Sequence, residues 1–410
     1  MSSTTCLEGV RVVELARVLA LPLAGQALGD FGAEVIKIER TGEGDQSRAS
    51  GAYLPGEPGP DRDSNRAGYM AANRNKKSVT VDFSMKEGQE IVRSLVAKSD
   101  IFLENFIPGT LAQYGLDYES LKADNPRLIY CSLTGFGQTG PQSRQPGYDA
   151  VFQAQSGIMG ITGIPDGEPG AGPMKVGYQV ADFMSGLYAA MAVVVALQER
   201  TRSGLGQHID LALLDVAMAS MALKAQDYLV TRKVEPRQGN MHLTNAWLST
   251  LLDCADRAII VTCNTDEHFR RFCGALGAPQ LAEDARYRIA SERRKNIREL
   301  QPALQALVAS RDSGEVLSLC KGASVPASPV NDFEQAFAEP HAVQRGVTVE
   351  LPHPLAADLR VLANPIRFSR TPVTYQLPPP LLGQHTEEVL AGILGMDAER
   401  IASLKTRGVV

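Results

Sequence analysis

Residues 9–40 read "GVRVVELARVLALPLAGQALGDFGAEVIKIER". Two β-branched, apolar runs, "VRVVELA" and "AEVIKIE", flank "LPLAGQALGDFG", a helical segment closed by glycine,. The order is strand, helix, strand. A crossover of this kind joins parallel strands with a right-handed turn, so it predicts an α/β sheet covered by helices on both faces.

The alternation continues outward from this unit. "KSVTVDF" reads as the next strand, with Ser84 as N-cap of a helix over "MKEGQEIVRSLVAKS",. "DIFLENF" follows as a buried strand, "TLAQYGLDYESLKADNP" as helical turns and "RLIYCSLTGFG" as a strand ending in glycines. The apolar run "QVADFMSGLYAAMAVVVAL" at 179–197 predicts a long helix buried in the core, and "SGLGQHIDLALLD" gives one more strand and helix,. Residues 1–224 therefore form a large Rossmann-like α/β domain. From about Ala225 the texture turns polar and broken, and "DRAIIVTCN" opens a run of charged amphipathic helices. Residues 225–330 read as a smaller α+β domain. Residues 331–410 contain the proline-rich "LPPPLLGQHTEEVLAGILGM" and are expected to return to the large domain,.

Composition narrows the function. The chain has 410 residues, 44% hydrophobic and 21% charged, within the soluble globular range,. A net charge of -5 gives no basic field for nucleic acid or an anionic membrane,. Six scattered cysteines without CxxC spacing favour reduced thiols over a zinc site or a disulfide framework,. The N-terminus lacks the pattern of a signal peptide, and no uncharged apolar run reaches the ~20 residues of a membrane span. A cytoplasmic protein with no metal is expected.

Several motifs carry two readings each. "GFGQTG" matches GxGxxG after a strand, but Pro141 follows at once, where a dinucleotide fingerprint must open a helix,. A glycine-rich loop fits better. Arg74, Lys76 and Lys77 suit a phosphorylated ligand, although on composition a solvated basic edge strand is favoured. "ENFIPGTL" sets Asn105 and Phe106 at the carboxyl end of a strand, as a ligand contact or as a simple turn. His242 in "RQGNMH" lies in a loop, and no histidine falls in a hydrolase or metal motif. Asp182, the first charge of the long apolar run, makes a good helix N-cap. The same place would keep a carboxylate ionised and accessible, as a nucleophile must be.

Taken together these segments resemble family III CoA-transferases, with the α-methylacyl-CoA racemases as relatives. The resemblance runs nearly end to end through residues 9–40, "NRNKKSVTVDF", "ENFIPGTL", "PGYDAVFQAQSGIMGITG", "VADFMSG", "GQHIDLALLD" and "PPLLGQHTEEVL". It implies open-ring subunits, each a large and a small domain, interlocked as a homodimer, with coenzyme A or acyl-CoA bound as substrate and no tightly held cofactor. It implies Asp182 as the nucleophile, which gives a mixed anhydride and then an aspartyl-CoA thioester. CoA contacts carry over to Arg40, to Val81, Asp82, Phe83 and Ser84, to Asn105, Phe106 and Ile107, and to Tyr148 and Asp149. The "QGNMH" loop, with Gly239, Asn240 and His242, would supply oxyanion donors.

Two departures bear on substrate. Leu19 stands where formyl-CoA transferases carry a glutamine, and Gln113 replaces an arginine of the "GxxxxRxGL" stretch, which disfavours formate and oxalate. "GYDAV", "AEPHAVQRG" and "PPPLLGQHT" instead resemble transferases that use succinyl-CoA and a short dicarboxylate. The racemase alternative uses a histidine in a "GHD" stretch, where this chain has Gly147-Tyr148-Asp149. Tyrosine, with an ordinary pKa near ~10, is a poor base at neutral pH.

Overall fold

Strand β1 (Arg11–Glu14), helix α1 (Ala20–Asp30) and strand β2 (Glu34–Glu39) form the expected crossover, with Val12 opposite Val35 and Val13 opposite Ile36 in parallel register. The computed structural model describes residues 5–56, 59–243 and 248–410. The chain divides into two units: the first runs to Ile158 and includes Val176–Lys233 and Arg345–Val410, and the second comprises Met159–Lys175 and Val234–Gln344.

In the first unit the chain continues through β3 (Lys76–Thr80), α2 (Lys86–Ala97), β4 (Ile101–Glu104), β5 (Ile129–Thr134), α3 (Asp149–Ser156), α4 (Val180–Ser203), β6 (His208–Ala212), α5 (Leu213–Ser220) and α6 (Ala222–Thr231). The strands form one parallel sheet in the order β3-β2-β1-β4-β5-β6. After β3 the chain returns to the far side of β1. The loops leaving β1 and β4 consequently part at their carboxyl ends, opening the crevice where doubly wound sheets hold ligands.

Both sheet faces are apolar, as parallel strands require. Val12, Val35, Ile101 and Leu103 join Ala24 and Leu28 of α1 and Ala189 and Val193 of α4. Val13, Ile36, Phe102 and Tyr130 join Ile91, Val92 and Leu95 of α2. Helix α4 crosses close to the start of α1, because a Cβ at Gly186 would lie 2.5 Å from the Ala20 carbonyl oxygen. Ser84 does not cap α2 as expected: Met85 holds that position, and the Ser84 amide and hydroxyl both donate to Asp82.

The basic run at the start of β3 is not a solvated edge. Arg74 pairs with Asp30, Lys76 is fully buried against Glu14, and Lys77 bridges Glu34 and Glu388. The C-terminal segment covers this strand, with the Ser78 carbonyl accepting the His385 N–H at 2.9 Å and Asp82 donating to Val409. The "NRNKK" charges turn inward because that segment and the sheet exclude water on both sides.

Helix α4 also departs from expectation. Its Ala181, Ser185, Ala189, Val193 and Ala196 side is buried, whereas Phe183, Leu187, Met191, Val194 and Val195 are exposed. The run is apolar all round, but the first unit covers only one side.

The second unit carries an antiparallel sheet of β7 (His242–Leu243), β8 (Leu248–Asp253), β9 (Ala258–Cys263) and β10 (Ala327–Pro329). Helices α7 (Asp266–Ala275), α8 (Ile297–Val308) and α9 (Ser313–Gly322) pack on it through Phe269, Phe272, Leu300, Leu304 and Val316.

Candidate active site

The turn after β1 is built on buried charge. Glu14 and Lys37 lie inside strands covered on both faces, where an unpaired charge would be prohibitively costly,. Lys37 therefore pairs with Glu14 and Asp45, each at 2.9 Å, and donates to the Ala16 carbonyl oxygen. Lys76 reaches the same Glu14 carboxylate and the Pro22 carbonyl oxygen. Gly25 makes this possible, since a Cβ there would collide with Glu14 Oε2. Burial alone would push Lys37 down, but its two carboxylate partners raise its pKa above the ordinary lysine value. Burial likewise opposes the charge of Asp45, and Lys37 overrides it, drawing the carboxyl to about 2.

Asp45 uses that fixed charge on the backbone. Both of its carboxylate oxygens accept the Val18 N–H, at 3.1 and 3.2 Å. Val18 has φ 70°, a left-handed conformation that a β-branched residue adopts only under outside constraint,. Asn105, in the loop after β4, holds the adjacent residue: its Oδ1 accepts the Arg17 N–H at 3.0 Å and its Nδ2 donates to the Arg17 carbonyl oxygen at 2.8 Å. The Arg17 guanidinium lies over the Phe106 ring, 4.4 Å from its centre. The loops on either side of the switch point are thus locked to each other.

Asp182 occupies the third residue of α4, and is not its cap. The cap position is Gln179, whose side chain makes no capping bond. Asp149, at the start of α3, does that work from another helix: its Oδ1 accepts the N–H groups of Ala181 at 2.7 Å and Asp182 at 3.3 Å. Gln153 steadies Asp149, donating to its Oδ2 and accepting the Val176 N–H. The Asp182 carboxylate is left half-buried, without a hydrogen-bond or ion-pair partner among the described residues. Burial, followed by the nearby Asp149 charge, pushes its pKa up to about 7. The expected favourable effect of the helix start is offset because Asp149 already occupies it.

The residues expected to form a site fall largely around two cavities of the first unit. One, of about 230 Å³, is lined by Leu19, Asn105, Phe106, Ile107, Tyr148 and Asp182. The other, of about 300 Å³, is lined by Arg40, Val81, Asp82, Phe83, Ser84 and Phe106. Arg17, Gln46 and Phe106 line both, so the two adjoin. Arg40 is largely exposed and pairs with Glu43. Asp149 lines neither cavity, because its carboxylate is committed to the start of α4. Gly239 and Asn240 belong to the second unit, where Gly239 donates its N–H to the Gly163 carbonyl oxygen. The side chain of His242 lies outside the described residues.

Sequence reasoning missed Asp45, Lys37 and Glu104. A signal existed in the first two strands, since a charge inside a run buried on both faces demands a partner. Glu104, at the end of β4, accepts the Phe106 N–H at 2.8 Å and bonds to Ser132, and burial raises its pKa to about 7.

"GFGQTG" follows β5 as a loop with Gly137 and Gly140 at positive φ, and turns rather than a helix succeed it. The cavity at the switch point thus holds a carboxylate without a partner among the described residues and no dinucleotide fingerprint, an arrangement open to covalent chemistry on that carboxylate,. The chain belongs to CoA-transferase family III, whose model matches residues 7–386, and it is a CoA-transferase. It is 43% identical over 385 residues to the succinate--glutarate CoA-transferase of Agrobacterium fabrum, covering 94% of this chain and 95% of that protein. Against the succinyl-CoA:glutarate CoA-transferase of Homo sapiens it is 37% identical over 410 residues, covering 100% and 91%. A CAIB/BAIF family protein from Brucella suis has the same fold, with a TM-score of 0.85, 40% identity, and coverage of 95% of this chain and 100% of that one.

Proposed function

We propose that this enzyme moves coenzyme A reversibly between succinyl-CoA and a short dicarboxylic acid, through an aspartyl-CoA thioester at Asp182. The observation that carries the reading is the Asp182 carboxylate in the switch-point cavity, without a partner among the described residues, its helix start capped by Asp149. The carboxylate attacks the thioester carbonyl and expels CoA thiolate, giving a mixed anhydride. The thiolate attacks the aspartyl carbonyl, releasing the first acid and leaving aspartyl-CoA. The acceptor carboxylate then attacks that thioester, and the expelled thiolate takes the new acyl group, which restores Asp182. Atoms and charge balance with no proton transfer, and each hard exchange becomes two easier ones.

The names of the similar transferases support succinyl-CoA as donor and glutarate as the first acceptor to try. We assign the nucleotide end of CoA to the larger cavity, near Arg40. The exposed apolar side of α4, with Leu223 and Val230 of α6, supports a homodimer in which a second copy covers that face,. Leu187→Glu with Met191→Glu is expected to shift the protein from dimer to monomer in light scattering. The cysteines, free and all but Cys6 buried, suit a reducing cytoplasm.

The test is peptide mass spectrometry after incubation with succinyl-CoA and trapping by borohydride or hydroxylamine. A modification confined to Asp182, lost together with transfer in Asp182→Asn, is expected. A label elsewhere, or transfer by Asp182→Asn, sinks the mechanism. Exchange of an α-proton with deuterated water in the absence of acceptor would instead indicate the racemase chemistry.

A further inference from the structure

A dicarboxylic substrate carries one carboxylate more than the transfer consumes. In the proposed reaction the acyl group of succinyl-CoA keeps that carboxylate free at its far end, and it arrives while Asp182 is also an anion. Like charges in a partly desolvated cavity repel, so a substrate of this kind needs a cation close by. The Asp182 cavity has one: among the described residues, Arg17 and Asp182 are the charged side chains that line it.

Arg17 differs from other arginines of the same unit. Arg40, Arg48 and Arg74 each pair with a carboxylate, that of Glu43, Glu39 and Asp30 respectively. The Arg17 guanidinium has no ion pair or hydrogen bond among the described residues. The residue is solvent-exposed and lines both adjoining cavities, so a molecule entering from solvent can reach it.

The free cation is nonetheless held in place. Asn105 fixes the backbone of Arg17 on both sides, accepting its N–H at 3.0 Å and donating to its carbonyl oxygen at 2.8 Å. The guanidinium lies 4.4 Å from the centre of the Phe106 ring, and Phe106 is itself a wall of the Asp182 cavity. Stacking on a ring occupies the face of a guanidinium and leaves its N–H edge free to donate. That edge matches a carboxylate through two parallel bonds, and because the group is already oriented, little freedom is lost when they form.

We infer that Arg17 determines specificity for dicarboxylic acids, its guanidinium binding the distal carboxylate of the acyl group in the donor and of the acid in the acceptor. The role rests on the reading of the substrates as dicarboxylates. The phosphates of CoA are the other anions that could meet a guanidinium at this place. They are common to every acyl-CoA and give no preference between one acid and another, so a comparison of acids separates the two.

The experiment compares the full-length enzyme with Arg17→Met and Arg17→Lys. Acceptor kcat/KM is measured with succinyl-CoA as donor for glutarate and for pentanoate, which has a methyl group in place of the distal carboxylate. Donor kcat/KM is measured for succinyl-CoA and for butyryl-CoA, which differ in the same way. Arg17→Met is expected to lower kcat/KM for glutarate and succinyl-CoA by about 30-fold, and to leave pentanoate and butyryl-CoA within about threefold. Arg17→Lys retains the charge and should keep part of the preference for glutarate. An equal loss with both members of each pair overturns the role and indicates a contact to the CoA phosphates or a structural effect on the turn. A preference for glutarate that Arg17→Met leaves unchanged, or that Arg17→Lys loses as fully as Arg17→Met, defeats this inference alone. If the unsubstituted enzyme does not favour glutarate over pentanoate, the dicarboxylate reading fails, and this one with it.

Discussion

Asp149 and Asp182 divide between them two roles that one aspartate would otherwise have to combine. Asp149 reaches from the start of one helix to accept the N–H groups at the start of another, at 2.7 and 3.3 Å, and so leaves the Asp182 carboxylate uncommitted. A nucleophile that also capped its own helix would have its lone pairs occupied by backbone. The separation also places a second negative charge near the first, which helps to raise the Asp182 pKa to about 7.

The first prediction concerns pH. In the proposed mechanism Asp182 attacks as the carboxylate, so kcat/KM should climb about tenfold per pH unit below the inflection and level off above about 7,. Asp149→Asn keeps an acceptor for the helix start but removes the charge, and the inflection should move to lower pH. An unmoved inflection would show that the two carboxylates do not interact.

Asp149→Ala removes the cap itself. Stability should fall by about 1 kcal/mol, the usual cost of losing a helix cap. Urea unfolding of this variant beside Asp149→Asn separates the hydrogen bonds from the charge.

Asp45→Ala should be the most damaging single change near the β1 turn. It removes one carboxylate partner of fully buried Lys37 and the acceptor that holds Val18 at φ 70°. A loss of about 3 kcal/mol is expected, as for other broken buried pairs. Val18→Gly is its counterpart: glycine adopts positive φ freely, so stability should stay within about 1 kcal/mol while the loosened turn lowers kcat/KM. Urea unfolding and steady-state kinetics on both variants check the pair.

Glu104 gives stability a pH dependence of its own. Its pKa is raised by burial from 4.5 to about 7, so between those values the folded state holds a proton that the unfolded state has lost. The contribution is complete below about pH 4.5 and disappears as pH rises through about 7, a change of at most about 3 kcal/mol. Glu104→Gln should flatten this slope in urea unfolding across pH 4 to 8. An unchanged slope would assign it to other groups.

Residues 9–40 made the parallel α/β sheet legible, because a β-branched strand, an apolar helix and another such strand can bury their surfaces in few other ways. Motif order then pointed to the family and to Asp182. The charges were not legible. Glu14, Lys37 and Lys76 come from three different strands, and Asp45 from a loop; local sequence records that each is charged, but not that they meet. The same limit led to the solvated reading of "NRNKK", since its covering segment lies some 300 residues further along.

By itself the sequence determined the alternation of strands and helices, and with it the sheet. Those follow from periodicity and local chemistry, which act over a few residues. Only the tertiary structure decided that Asp149 caps the helix of Asp182 and that Lys37 and Asp45 hold the strained turn at Val18. Each depends on which distant groups the fold brings into hydrogen-bond range and on how much water it excludes there, and neither quantity is a property of a short stretch of chain.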